Sequence, residues 1–180
     1  MLKGPVPFNG AYWVVPEKFL AGFYPASPHR LETVENLTNL IRCSIRCVVN
    51  LMEETESDLY FGTIPPYEEL IREIADRESA QVECLRFPIR DRDVPTRKQM
   101  LLILNTIDAS VEAGQPVYVH CLGGIGRTGT VVGCYLLRHG LADRESVLEE
   151  TRLLRIGTVH QFIQSPETEQ QRKFVQTWNE

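Results

Sequence analysis

Residues 116–137 read PVYVHCLGGIGRTGTVVGCYLL, and this stretch decides the architecture. Its opening PVYVH mixes β-branched and aromatic side chains in a short apolar run, which suits a buried strand. TGTVVGCYLLRH (128–139) is almost wholly apolar and is closed by Gly140, so it predicts a helix buried on every side. Between them, residues 120–129 hold one cysteine, one arginine and four glycines. A strand that feeds a helix through a glycine-rich turn belongs in an α/β protein.

Outward from this unit, AYWVV (11–15) and FLAGFY (19–24) read as short strands, the second ended by Gly22 and Pro25. SPHRLETVENLTNLIRC (27–43) reads as a helix with Ser27 as cap and Pro28 in the first helical position; Leu31, Val34, Leu37, Leu40 and Ile41 share its apolar face. IRCVVNL (45–51) suits a buried strand, residues 53–65 lack periodicity and read as a surface loop, and PYEELIREIADRES (66–79) returns to a helix. QVECLRFPI (81–89) is a further strand, followed by the polar turn RDRDVPT. Thr96 then caps a long helix that Gly114 stops. Two more amphipathic helices, DRESVLEETRLL and PETEQQRKFVQTW, complete the chain. Strands alternating with helices predict a largely parallel central sheet of four to five strands flanked by helices.

The 180 residues, 43% apolar and 24% charged, fit one soluble globular domain spanning 1–180. The N-terminal MLKGPVPFNGAYWVVPEKF is broken by prolines and glycines where an export signal needs an apolar run, and nothing later approaches a membrane span; a cytoplasmic protein without membrane contact is expected. Five cysteines without an export signal argue against a disulfide framework. Their spacing offers no zinc site, so no metal is expected. The formal net charge of −5 disfavours a nucleic-acid partner. A phosphorylated ligand remains possible in one local pocket of backbone N–H groups and a single arginine.

Three readings compete for the loop. GIGRTG (124–129) matches the GxGxxG of dinucleotide sites, yet Cys121, Leu122 and Gly123 separate it from the strand, and the segment after the helix is helical again. Arg127 and Thr128 stand where a nucleotide-triphosphatase loop needs lysine. Alternatively, Cys121 is a small buried hydrophobe in a tight turn. A tight turn needs one or two glycines, whereas four suggest N–H groups all pointing inward. The third reading is an anion cradle with a nucleophile at its floor. Partial positive charge at a helix mouth favours a thiolate, the same N–H groups bind phosphoryl oxygens, and the planar fork of Arg127 holds two of them. A cysteine there attacks phosphorus and leaves again in a second step.

Cys121-x5-Arg127 followed by Thr128 and preceded by His120 resembles the signature of the cysteine-dependent protein tyrosine and dual-specificity phosphatases. WVVPEKFLAG, VVNL, FPIRDRDVP, VYVHCLGGIGRTGTVVGCYLL and SPETEQQRKF resemble the small, single-domain (atypical) dual-specificity phosphatases in the same order, so nearly the whole chain is covered.

The resemblance implies that Cys121 is the nucleophile and that Arg127 and the amides of Leu122, Gly123, Gly124, Ile125 and Gly126 bind phosphate. It further implies that Thr128 stabilises the thiolate as it leaves, that His120 orients the loop, and that Asp91 is the acid and then the base, with Asp93 its competitor. Glu167, Gln170 and Gln171 are candidates for holding the attacking water. Leu122 and Ile125 are aliphatic where phosphoinositide-directed relatives carry lysines, which favours a phosphomonoester on a protein side chain. The expected partners are a phosphorylated protein or peptide, with phosphate, sulfate or vanadate in the loop; no cofactor is expected, and the chain is expected to be a monomer. The alternatives are a catalytically silent phosphopeptide-binding module and a phosphatase for a non-protein phosphomonoester. The segment 53–80 is longer than in the smallest relatives and is expected to form one wall of the cleft.

Overall fold

The computed structural model describes residues 5–58 and 62–180. The first four residues of the segment read for an export signal, and the tip of the 53–65 loop, lie outside the described residues.

The central sheet has five strands: β1 (Ala11–Val15), β2 (Phe19–Gly22), β3 (Cys47–Asn50), β6 (Glu83–Arg86) and β7 (Val117–His120), in the order β1-β2-β7-β3-β6. Only β1 runs antiparallel, against β2; the other pairings are parallel. A small hairpin, β4 (Ser57–Asp58) with β5 (Gly62–Thr63), stands apart from it, where the loop 53–65 was expected to be irregular. The helices are α1 (Arg30–Arg42), α2 (Glu68–Arg77), α3 (Arg97–Glu112), α4 (Gly126–Arg138), α5 (Val147–Leu154) and α6 (Glu169–Gln176).

The middle of the sheet is fully buried, as its β-branched composition requires: Val48, Val49, Val117, Tyr118 and Val119 expose nothing. The long helix starts where its cap was read, with Thr96 Oγ1 accepting from the Gln99 N–H at 3.2 Å, a bond worth about 1 kcal/mol. The first helix starts later than expected. Ser27 instead bonds the His29 N–H and the Glu32 carboxylate, and His29 becomes the N-cap. The helix therefore buries Thr33, Asn36, Leu37, Leu40 and Ile41, and leaves Leu31 87% exposed. The apolar helix after the glycine-rich loop is buried from Gly126 to Leu136, as its composition demanded.

One consequence of this topology positions the site. Because β2, β7, β3 and β6 are parallel, their C-terminal ends lie along one edge, with Gly22, His120 and Asn50 in register. Whatever follows each strand is brought around the loop that follows β7, the place where open α/β sheets bind their ligands.

Candidate active site

The strand β7 ends at His120, and the next five residues wrap from the sheet edge to the start of α4. Gly124 has φ +66, and a Cβ there would lie 2.5 Å from the carbonyl carbon of Gly22. Only glycine permits both that backbone and that approach. The glycines thus serve packing against β2 as well as access to the amides. Among the described residues, no backbone N–H from Leu122 to Arg127 donates to another protein group; the first turn of a helix leaves such donors unspent, and they suit an anion. Cys121 is 3% exposed at the floor of this ring, and Thr128 Oγ1 donates to its Sγ at 3.1 Å.

Arg127 is buried to 2% exposure. Its Nη1 and Nη2 each donate to one oxygen of Glu56 at 2.6 Å, a bidentate pair of the strong kind. Nη1 also donates to the Ile89 carbonyl at 3.0 Å, and Nη2 lies 3.0 Å from Asp91 Oδ1. Burial works against the charge, but the Glu56 hydrogen bonds, with the charges of Cys121, Glu56 and Asp91, outweigh it and raise the guanidinium pKa. An incoming phosphoryl group can take Nε and the Nη2 edge by displacing Asp91, while Glu56 keeps the plane of the fork fixed.

His120 is wholly buried, and burial lowers its pKa to about 3. It is therefore neutral at ordinary pH. Tyr67, whose own pKa burial raises well above the usual value, keeps its proton and donates to His120 Nε2 at 2.6 Å. That leaves the ring hydrogen on Nδ1, 3.2 Å from the Cys121 carbonyl. Tyr24, Tyr67 and Tyr118 surround the ring. The imidazole can position the cysteine backbone but cannot readily take a second proton.

The two aspartates of the RDRDVP turn are used differently. Asp91 is 60% exposed in its side chain and faces Arg127. Asp93 Oδ1 accepts from the Val94 N–H at 2.8 Å and from Gln170 Nε2 at 3.1 Å, so its carboxylate ties the turn together. Gln171 Nε2 donates to the Asp93 carbonyl at 3.0 Å, and Glu167 pairs with Arg92 at 3.2 Å. The candidates for water placement thus lie beside the RDRDVP turn, with polar groups engaged there.

Glu56 and Tyr67 were not singled out in the sequence. Because β3 neighbours β7 in parallel register, the glutamates of EETES after β3 emerge beside the loop after β7, but nothing in the sequence singles out Glu56 among them. An apolar trough of about 510 Å³ also opens beside the loop, lined in part by Phe23, Tyr24, Ala26, Ile64, Pro65 and Leu122. No helix among the described residues is long and apolar enough to cross a membrane.

The family model described as "Polymorphic toxin system, DSP-PTPase phosphatase" matches residues 26–141, more than half of the chain. The phosphatidylinositol 3,4,5-trisphosphate 3-phosphatase and protein-tyrosine-phosphatase PTEN1 of Arabidopsis thaliana is 26% identical over 168 residues, covering 92% of this chain and 37% of that protein. The putative tyrosine phosphatase 067L of Invertebrate iridescent virus 3 is 28% identical over 134 residues, covering 71% of this chain and 46% of that one. The chain therefore spans less than half the length of both curated relatives. Among solved structures, Tk-PTP in its active form is 26% identical with a TM-score of 0.64, and the match covers 91% of this chain and 92% of that one.

Proposed function

We propose, from the premise that this chain belongs to the DSP-PTPase phosphatase family, that it hydrolyses phosphotyrosine and phosphoserine or phosphothreonine monoesters on proteins through a phosphocysteine intermediate. That it is a cysteine-based phosphatase of the dual-specificity type follows from the family. The protein substrate and the residue roles are our reading. One observation carries it: a buried thiol lies under unspent amide donors, with an arginine fork and an exposed carboxylate on the same side.

In this mechanism the phosphoryl oxygens take the amides of 122–127 and the free edge of Arg127. The Cys121 thiolate attacks phosphorus in line as the bond to the ester oxygen breaks, and Asp91, protonated and released from Arg127, gives that oxygen its proton. Water then donates a proton to Asp91 as its oxygen bonds to phosphorus. The S–P bond breaks, and the departing thiolate receives the Thr128 hydroxyl already 3.1 Å away. Residues 1–180 act together as one phosphatase domain.

The aliphatic Leu122 and Ile125 and the apolar trough support a protein substrate over a polyphosphorylated ring, because neither supplies the cations that extra phosphates need. The name of the Arabidopsis relative includes a phosphoinositide, and a phosphoinositide therefore belongs in the test panel. Phosphotyrosine and phosphothreonine peptides should be turned over in preference to it. Cys121→Ser should lose turnover by roughly 10⁵-fold, as removal of a nucleophile does, while still binding vanadate. Asp91→Asn should lower kcat/KM for phenyl phosphate about 100-fold, and for p-nitrophenyl phosphate far less. Vanadate binding without turnover by the unmutated protein would leave only a phosphopeptide-binding module.

A further inference from the structure

The segment 165–171 touches both halves of the site. On one side, Ser165 Oγ donates to the Ile125 carbonyl at 2.7 Å, and a Cβ on Gly126 would lie 2.9 Å from Gln171 Oε1. This side is the seam between the phosphate loop and α4. On the other side, the segment grips the acid loop. Thr168 Oγ1 donates to the Arg92 carbonyl at 3.4 Å, Gln171 Nε2 to the Asp93 carbonyl at 3.0 Å, and Gln170 Nε2 to the Asp93 carboxylate at 3.1 Å. Glu167 pairs with Arg92.

Gln171 is the centre of this arrangement and exposes nothing. Its backbone N–H donates to Thr168 Oγ1, and its Oε1 accepts from the Thr168 N–H at 3.0 Å, which closes a capping box at the start of α6. Its amide nitrogen is thereby aimed at the acid loop with little freedom. The loop needs such a hold, because Arg92 sits at φ +62, a conformation that costs a non-glycine residue about 1 kcal/mol or more. The segment lies beyond residue 141, where the match to the family model ends.

We propose that Gln171, with Gln170, latches the acid loop against the phosphate loop and so positions Asp91. This makes Gln171 a positioning residue for proton transfer to the leaving group. The proposal rests on the phosphatase reading for the role of Asp91. It differs from placement of the attacking water in which chemical step is affected: the latch acts on P–O cleavage, and a water site acts on hydrolysis of the phosphocysteine.

The distinction is measurable because kcat/KM ends at formation of the phosphocysteine. Gln171→Glu keeps the volume and the capping acceptor but loses the N–H donor. It should lower kcat/KM for phenyl phosphate by about tenfold or more, since displacement of a reacting group by even 1 Å costs up to about 100-fold. For p-nitrophenyl phosphate, whose leaving group needs little protonation, the change should stay under about threefold. The exposed Gln170→Ala, which carries little folding risk, should shift the same ratio in the same direction by less. In an Asp91→Asn background, Gln171→Glu should add nothing to the phenyl phosphate defect. An unchanged kcat/KM with lowered kcat and a burst of released phenol would overturn the latch in favour of water placement. An equal loss for both leaving groups would also overturn it, leaving a structural role alone.

Hydrogen exchange gives a readout that does not depend on turnover. Gln171→Glu should speed exchange of the amides of 91–94 while those of α4 keep their protection. Unchanged exchange there rejects the latch whether or not the protein is active. Faster exchange in a protein without turnover rejects only the phosphatase reading.

Discussion

Two arginines are buried almost completely, Arg127 at 2% and Arg155 at 1% exposure, and they are held in opposite ways. Arg127 faces the carboxylates of Glu56 and Asp91, which raise its pKa against the pull of burial. Arg155, at the end of α5, faces carbonyl dipoles: Nη1 donates to Ile163 at 2.7 Å and Nη2 to His160 at 2.6 Å. Burial lowers its pKa, opposed in part by Tyr12 and Cys121. A guanidinium among anions can exchange one for another, and the exposed Asp91 is the one able to leave. A guanidinium clamped by dipoles has nothing to exchange, and it serves to hold the 155–163 turn in place.

Removing each charge breaks the comparison most severely. Arg127→Met strands the Glu56 carboxylate, whose side chain is only 10% exposed, and should cost about 4 kcal/mol in urea unfolding. The same variant should lose aryl phosphate turnover by at least about 10³-fold. Arg155→Met strands only two carbonyls. It should cost about 2 kcal/mol and lower kcat/KM of the folded fraction far less than Arg127→Met does. A larger stability loss for Arg155→Met than for Arg127→Met would show that the carboxylate pair is not what distinguishes the two sites.

A smaller effect sharpens the picture beside Arg127. His120 is held neutral by burial, with its pKa at about 3, against about 6.5 in an unfolded chain. Above pH ~6.5 neither state carries the proton, and the group adds no pH dependence. As pH falls from ~6.5 towards ~3, only the unfolded chain takes up the proton, so stability declines by up to about 1.4 kcal/mol per pH unit. His120→Asn should remove that contribution between pH 6 and 4, read as a shallower fall of the urea midpoint with acid.

The legibility of these features follows their distance along the chain. The β7–loop–α4 unit is contiguous, so the spacing of His120, Cys121, Arg127 and Thr128 already implied that they meet. Thr96 was legible for the same reason: its partner is three residues away. Helix α1 was misread at its start because Ser27, Pro28 and His29 each fit a helix entry, and only the docking of the chain leaves Leu31 in solvent. Glu56 was hidden among neighbouring glutamates that bear no distinguishing pattern. Its selection depends on which rotation of the 53–56 turn faces β7. Tyr67 looked like a first-turn residue of α2, and nothing nearby announces a buried histidine 53 residues away.

The sequence by itself determined the class of fold, the order of the helices and central-sheet strands and the thiol, arginine and amides of one loop, because these depend on periodicity and on contacts within about a dozen residues. Tertiary structure alone decided what surrounds that loop. Parallel strands end at a common edge, so Glu56, Asp91 and the cap of α6 converge on Arg127 and the RDRDVP turn from distant parts of the chain. It also separated Asp91 from Asp93. The two carboxylates are alike in sequence, and only their partners distinguish them: Arg127 for Asp91, and Val94 with Gln170 for Asp93.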